Sequence, residues 1–283
     1  MNLGSEALTT TGHQHVWIPS GPEQLATSID VPDSGTKQCP CVIMVHGFTG
    51  CRLGRSYHFV EFGRKLAAAG IACIRFDQAG CGESTGPQSA YSLKSIERDC
   101  LSVFDWMNDD GRFDMTRIGL VGSSMGALGA VMLEAQRLVH CMTLWGPVHD
   151  LPGLVQQRKG EAETVSVFKT LGYVPYKGIR LGREYFDHMH LADPARRIAS
   201  NEVSSAPVLI LHAAGDEVVS FEHSQAYLDA YRGAGRVAEL LELDDDSHDF
   251  FEDPARSHVL NSSCTWFVQH LADADSETVR RVG

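Results

Sequence analysis

Basic residues are scarce in this sequence of 283 residues, which has 24 Lys and Arg against 36 Asp and Glu and a formal net charge of −12. No cluster of Lys or Arg offsets the excess of acidic residues. A phosphate backbone is repelled by such a balance, because nucleic-acid binding depends on neutralising phosphates with cations. We therefore expect no nucleic-acid partner.

Long apolar runs are also missing. No stretch approaches the roughly 18–20 apolar residues that a membrane-spanning helix needs. Residues 1–6 lack the basic region followed by an apolar stretch that is typical of a secretory leader. We therefore predict no membrane insertion and a cytoplasmic protein.

The eight cysteines show no spacing that is typical of metal or redox sites, because Cys39-Pro40-Cys41 is C-x-C and not C-x-x-C. A chain of this length without a leader rarely depends on disulfides. Several cysteines fall within apolar strand or helix patterns, where cysteine packs as a small hydrophobic residue. His188 and His190 form a pair without an obvious third ligand, whereas catalytic zinc needs three. We predict free thiols and no metal.

From Cys41 onward, apolar strand patterns alternate with helical patterns. Cys41–His46 is a compact apolar run, typical of a strand buried on both faces. Helical spacing over Tyr57–Ala69 ends at Gly70. The predicted strands are His15–Pro19, Gln24–Val31, Cys41–His46, Ile71–Phe76, Arg117–Val121, Cys141–Trp145, Val208–Leu211 and Val237–Leu243. The other predicted helices are Ser92–Met107, Met125–Leu138, Phe221–Tyr231 and Ser257–Leu271. This alternation indicates right-handed βαβ crossovers and an α/β fold, a mostly parallel eight-stranded sheet flanked by helices.

Residues 147–205 interrupt this alternation. They contain scattered aromatic residues and several glycines, and they lack a clear strand pattern. We interpret them as a small cap inserted after the sixth strand. Residues 1–146 and 206–283 would then form one core, ending in a polar tail at 272–283.

The segment Gly122-Ser123-Ser124-Met125-Gly126 matches G-x-S-x-G between a predicted strand and a predicted helix. The sharp turn that exposes a nucleophilic serine requires small residues two positions before and two after it. Gly122 and Gly126 meet this requirement around Ser124. They do not meet it around Ser123. We predict that Ser124 is the nucleophile.

A serine in such a strand-to-helix turn is followed along the chain first by the acid and then by the histidine base. Positions after the seventh and eighth predicted strands fit this order. Asp216 and His248 occupy these two positions. Asp150, after the sixth strand, is the main rival acid, and Glu217 is a weaker neighbour. His46 comes too early in the chain to be the base, so we expect a structural role for it.

An acyl-transfer site also needs two backbone N–H groups to bind the oxyanion. One should belong to Met125, the residue after the nucleophile. The other should come from the loop after the third strand, His46-Gly47-Phe48-Thr49-Gly50. Gly47 would let this loop turn sharply, and the N–H of Phe48 would then point at the site.

Together these residues resemble the α/β-hydrolase superfamily across roughly residues 15–271. The oxyanion loop, Arg75-Phe76-Asp77 and Gly80-Cys81-Gly82-Glu83-Ser84 resemble the bacterial cinnamoyl/feruloyl esterases and the related serine aminopeptidase-like hydrolases. The stretch from Phe76 to Gly82 also resembles proline iminopeptidases, with Ala79 in place of their usual arginine. The esterase resemblance implies a cap that contacts a phenolic acyl group, and by position Tyr185 is the best candidate for that contact. Phe186 and Trp145 are further candidates, for substrate contact or for packing.

The residues predict a serine carboxylesterase that acts on a small-molecule ester through an acyl-enzyme, without a cofactor. The same machinery supports amide, thioester and lipid-acyl hydrolysis, so these alternatives stay open. An aminopeptidase would need a carboxylate to hold a free amino terminus, and Glu161, Glu163 and Glu184 are candidates. A catalytically idle ligand-binding protein is a further alternative. The oligomeric state stays open, with a homodimer among the options.

Overall fold

The computed structural model describes residues 12–33, 38–158, 161–245 and 247–271, with side chains omitted at 157–158 and 161–165. Its strands are β1 (Gly12–Ser20), β2 (Glu23–Val31), β3 (Cys39–Val45), β4 (Ala72–Phe76), β5 (Phe113–Ser123), β6 (Cys141–Trp145), β7 (Val174–Tyr176), β8 (Ile179–Leu181), β9 (Val208–Ala213) and β10 (Ala238–Leu243). Its α-helices are α1 (His58–Ala68), α2 (Leu93–Asp110), α3 (Gly126–Glu134), α4 (Leu151–Arg158), α5 (Glu161–Leu171), α6 (Arg183–Asp187), α7 (Pro194–Ala199), α8 (Glu222–Gly233) and α9 (Ala255–Leu271). The predicted polar tail lies outside the described residues.

Eight strands form one sheet in the order β1-β2-β4-β3-β5-β6-β9-β10. The pairs β1–β2 and β2–β4 are antiparallel, and every other pair in the sheet is parallel. The prediction of a mostly parallel eight-stranded sheet is therefore confirmed. Each predicted strand is present, with ends that differ by a few residues.

The sheet is buried on both faces, and β3 illustrates the reason. Cys41, Ile43 and Val45 belong to one buried cluster, which α2, α3 and α8 cover. The intervening Val42 and Met44 belong to a second cluster, which α1 and α9 cover. Side chains alternate between the faces of a strand, so helices on both faces require the unbroken apolar run that marked β3 in the sequence.

Between β6 and β9 lie α4, α5, the antiparallel hairpin β7–β8, α6 and α7. We call residues 147–205 the inserted segment. Neither β7 nor β8 was predicted, because three residues are too few for an alternating pattern to be recognised. Val174, Leu181 and Tyr185 of this segment join the first buried cluster, so its apolar side packs onto the core.

No helix in the described part of the chain combines the length and the apolar character needed to cross a membrane. All eight cysteines are free thiols, and all but Cys51 and Cys81 are buried. Nor does any group of three or more His, Cys, Asp or Glu side chains in this part of the chain have an arrangement suited to a metal ion.

Candidate active site

Ser124 lies in the tight turn between β5 and α3. Its backbone has φ of 53°, in the left-handed region that non-glycine residues rarely adopt. The N–H of Ser124 donates to the carbonyl oxygen of Trp145 at 2.8 Å, which fixes the turn against β6. A Cβ at Gly122 would lie 2.6 Å from the Cα of Ala127. A Cβ at Gly126 would collide with the carbonyl oxygen of Val45. Both glycines are therefore required by close backbone contacts.

This geometry predicts that Gly126→Ala destabilises the protein, because the new methyl group must displace the backbone of β3. Forcing extra atoms into a packed site typically costs about 1–3 kcal/mol of unfolding free energy. Urea denaturation measures the change. Gly233→Ala is the matched control, since nothing lies within 4 Å of a Cβ built there. Equal unfolding curves for Gly126→Ala and the wild type would contradict the prediction.

Ser124, His248 and Asp216 form a continuous chain of hydrogen bonds. The Nε2 of His248 lies 2.9 Å from the Oγ of Ser124, and its Nδ1 lies 2.6 Å from the Oδ2 of Asp216. A carboxylate can only accept, so Nδ1 carries the proton and Nε2 is free to accept from the serine hydroxyl. The loops after β5, β9 and β10 thus bring the three residues together at the carboxyl edge of the sheet.

Asp216 is held in the ionised form by its surroundings. Its Oδ1 accepts the N–H groups of Val218 at 2.8 Å and Val219 at 2.9 Å. Its Oδ2 is 3.2 Å from the Nε2 of His212, in addition to its contact with His248. Burial alone would raise the pKa of Asp216, but the hydrogen bonds from His212 and His248 outweigh burial and lower the pKa below its ordinary value.

His212 is a neighbour of the site that sequence reasoning missed. It is fully buried, and its Nε2 also lies 2.9 Å from the carbonyl oxygen of Val219. Because carbonyl and carboxylate oxygens only accept, Nε2 carries the proton, and Nδ1 accepts from the hydroxyl of Ser224 at 2.5 Å. The available signal was a histidine in the apolar pattern of β9, four residues before Asp216.

The rival residues have other partners. The carboxylate of Asp150 accepts the N–H of Gly153 at 2.9 Å, at the start of α4. Glu217 is exposed.

His46 is buried, and its Nδ1 donates to the carbonyl oxygen of Gly47 at 2.8 Å while its Nε2 accepts the N–H of Gln78 at 3.1 Å. Both ring nitrogens of His46 therefore bind backbone, which agrees with a structural role.

Phe48 and Met125 lie beside Ser124 in the lining of one cavity. A Cβ at Gly47 would lie 2.8 Å from the Cβ of Ser124, so only glycine lets this loop approach the serine so closely. Neither the N–H of Phe48 nor that of Met125 donates a hydrogen bond to another described residue. Both amides are therefore available to a bound group.

The cavity has a volume of about 370 Å³, within the range of small-molecule sites. Tyr185 and Phe186, two of the candidates for substrate contact, line it, and their contact with a substrate stays a prediction. The ring of Tyr185 is buried and stacks on that of Phe48 at 5.4 Å, which connects the inserted segment to the loop after β3. The other lining residues from the inserted segment and the β9–α8 loop are mainly apolar: Val148, Leu151, Leu154, Val155, Val174, Tyr176, Lys177, Leu181, Val218 and Val219.

Trp145, for which either substrate contact or packing was considered, is not among the residues that line this cavity. Its side chain is buried in the second cluster, and its indole N–H donates to the Oγ of Ser263 at 2.9 Å. Rings of Phe59 and Phe62 pack against it. The alternation of side chains along β6 explains this packing, because it directs the side chain of residue 145 to the face covered by α1 and α9.

Of the three glutamates considered for an amino-terminus site, only Glu184 has a described side chain. Glu184 is exposed and is not part of the cavity lining. The side chains of Glu161 and Glu163 lie outside the described residues. Within the described lining, Asp249 supplies a carboxylate, and it is paired with Arg55 at 2.8 Å.

Comparisons with known proteins agree with this architecture. The chain is 28% identical over 283 aligned residues to the uncharacterized 31.7 kDa protein in the traX-finO intergenic region of Escherichia coli, covering 88% of this chain and 97% of that protein. It is 24% identical over 227 residues to palmitoyl-protein thioesterase ABHD10 of Homo sapiens, covering 75% of this chain and 71% of that protein. Its fold is similar to that of ferulic acid-bound Est1E from Butyrivibrio proteoclasticus, with a TM-score of 0.76, 22% identity and coverage of 91% and 100%. Residues 42–257 match the model of the alpha/beta hydrolase family, and the chain therefore belongs to that family.

Proposed function

We propose that this protein is a serine hydrolase that cleaves carboxylic esters of small molecules through an acyl-enzyme. The observation that carries the proposal is the chain of hydrogen bonds from Ser124 through His248 to Asp216, at the wall of a largely apolar cavity. A serine that can pass its proton to a histidine, itself oriented by a carboxylate, is equipped for nucleophilic attack on a carbonyl carbon.

In this proposal the Oγ of Ser124 attacks the ester carbonyl as the Nε2 of His248 takes the hydroxyl proton. The N–H groups of Phe48 and Met125 stabilise the oxyanion of the tetrahedral intermediate. His248 then gives its proton to the leaving alcohol oxygen. In the second half of the reaction His248 takes a proton from water, which attacks the acyl carbon, and returns that proton to Ser124 as the acid is released. Asp216 keeps the ring of His248 in the tautomer that these transfers require.

We further propose that the inserted segment is a cap that holds the acyl group. Support comes from its apolar lining residues and from the stack of Tyr185 on Phe48, which together suit a hydrocarbon or aromatic acyl chain. The name of ABHD10 makes thioesters a second candidate substrate class, because the same groups can attack a thioester carbonyl.

Two measurements test the proposal. A fluorophosphonate probe should label the protein stoichiometrically, and mass spectrometry should locate the label on Ser124. A panel of p-nitrophenyl esters of increasing acyl length, with methyl ferulate, a matched thioester and a prolyl arylamide, should show ester hydrolysis. A fluorophosphonate label on a residue other than Ser124, or cleavage of the prolyl arylamide alone, would contradict the esterase proposal.

Tyr185→Ala should reduce kcat/KM for aryl-acyl esters more than for p-nitrophenyl acetate, because we expect acetate to be too small to contact Tyr185. Losing an aromatic contact and a hydroxyl should cost about 1–3 kcal/mol, or roughly 5- to 150-fold, on the aryl substrate. Tyr185→Phe keeps the stack on Phe48 and is the matched control. An equal loss on both substrates would mean that Tyr185 supports the loop after β3 and does not select the acyl group.

A further inference from the structure

The cavity extends across the carboxyl edge of the sheet and has two ends. One end is lined by Val148 and Leu151, which belong to the buried cluster on one face of the sheet. The other end is lined by Phe59, which belongs to the cluster on the opposite face. Ser124 and His248 line the same cavity, so lining residues from both faces of the sheet surround one serine.

The end that includes Phe59 is polar, unlike the end under the inserted segment. Arg55, His58 and Asp249 line it. The Nη1 of Arg55 lies 2.8 Å from the Oδ2 of Asp249, and the Arg55 side chain is 64% exposed. A polar wall of this kind is poorly suited to a hydrocarbon chain, because an apolar occupant would leave its donors and acceptors without partners.

His58 supplies a hydrogen-bond acceptor within this polar end. The residue is only 8% exposed, and its Nδ1 donates to the carbonyl oxygen of Arg55 at 2.6 Å. Burial lowers the pKa of His58 to about 4, so the ring is neutral at neutral pH and Nε2 carries a lone pair. Nε2 accepts no hydrogen bond from any described residue. A Cβ at Gly54 would lie 3.0 Å from it, so the glycine leaves that side of the ring open.

The position of Asp249 assigns this end to one half of the ester. Asp249 directly follows His248, and the Nε2 of His248 must deliver a proton to the leaving oxygen. The alcohol half of the ester therefore has to lie beside His248, and the polar end is the space next to it. The apolar end under the inserted segment remains for the acyl half.

We propose that Arg55, His58 and Asp249 form a subsite for a hydroxylated leaving alcohol of the glycerol or sugar type. One hydroxyl donates to the Nε2 of His58, and a second hydroxyl exchanges hydrogen bonds with the Arg55–Asp249 pair. This inference rests on the proposed ester hydrolysis. In the acylation step the bond between Ser124 Oγ and the acyl carbon forms, the ester C–O bond breaks, and the serine proton leaves with the alcohol through His248.

The first test compares two esters with one acyl group, ethyl butyrate and glyceryl monobutyrate. We expect His58→Phe, which keeps a packed ring but removes the acceptor, to lower the ratio of kcat/KM for the glycerol ester over the ethyl ester by about 3- to 10-fold. Tyr57→Phe is the matched control, because the Tyr57 side chain is 67% exposed and is not part of the cavity lining, and its ratio should stay that of the wild type. An unchanged ratio in His58→Phe would overturn the subsite, since damage to the fold lowers both rates together.

The second test uses the wild type alone and does not depend on the folding of a variant. During hydrolysis of p-nitrophenyl butyrate, glycerol or 1-propanol is added at equal concentration as a competing acyl acceptor. An alcohol that fits the leaving-group subsite should intercept the acyl-enzyme, so glyceryl monobutyrate should form faster than propyl butyrate. Faster formation of propyl butyrate would overturn the subsite alone. Failure to release p-nitrophenol at all would instead remove the proposed esterase function.

Discussion

Ser124→Ala is expected to lower kcat for ester hydrolysis by about 10⁴- to 10⁶-fold, as the loss of a nucleophile does in other serine triads. The variant should unfold like the wild type, because the lost Oγ contacts His248 and does not hold the turn. The turn depends on backbone hydrogen bonds of residue 124. Its N–H donates to Trp145, and its carbonyl oxygen accepts from Ala127 and Val148. The measurement is kcat on p-nitrophenyl butyrate, with fluorophosphonate labelling in parallel. Labelling should disappear with the activity.

Ser123→Ala is the matched control for this prediction, because the two serines are adjacent and both line the cavity. Ser123 is the last residue of β5, and the hydrogen bond to His248 comes from Ser124. Ser123→Ala should therefore retain most of the activity and all of the labelling. An inactive Ser123→Ala beside an active Ser124→Ala would show that the turn had been assigned to the wrong serine.

Sequence patterns were sufficient for the sheet and for the turn at Ser124, because local physical requirements leave clear traces. A strand covered on both faces must be apolar throughout, as β3 is, and a serine with positive φ between packed backbones must be flanked by small residues. A Cβ at Gly122 or Gly126 would clash with neighbouring backbone atoms, so the spacing of these two glycines identified the turn. Asp216 and His248 were predicted on a different basis, the order of serine, acid and histidine along the chain.

Patterns were insufficient where a side chain's surroundings depend on contacts distant in sequence. Trp145 could have lined the cavity or packed, and only the packing of α1 and α9 against β6 decides between them. The sequence analysis did not single out His58, and its place in one cavity with Asp249 joins segments that are far apart in the chain. Residues 147–205 gave little signal because β7 and β8 have three residues each and α6 and α7 are short.

The second large loss of kcat is expected at Asp216, the proposed acid. Asp216→Asn should lower kcat by about 10⁴-fold, the size of loss expected when the histidine adopts the wrong tautomer. An asparagine would keep its carbonyl oxygen on the N–H groups of Val218 and Val219, which Oδ1 accepts now. Its NH₂ group would then replace Oδ2 and face the Nδ1 of His248. Because NH₂ only donates, Nδ1 would have to accept, and the proton would move to Nε2, where it blocks transfer from Ser124.

Asp150→Asn is the matched control, since Asp150 is the residue that chain order offers as an alternative acid and its carboxylate instead accepts from Gly153. It should change kcat little. In Asp216→Asn the new NH₂ group would also face the proton on the Nε2 of His212, so the variant should lose stability as well, by the roughly 1–3 kcal/mol of an unpaired buried donor. Kinetics are therefore measured well below the melting temperature, with circular dichroism as the check on folding. A nearly inactive Asp150→Asn beside an active Asp216→Asn would move the acid to the loop after β6 and contradict the hydrogen-bond chain through His248.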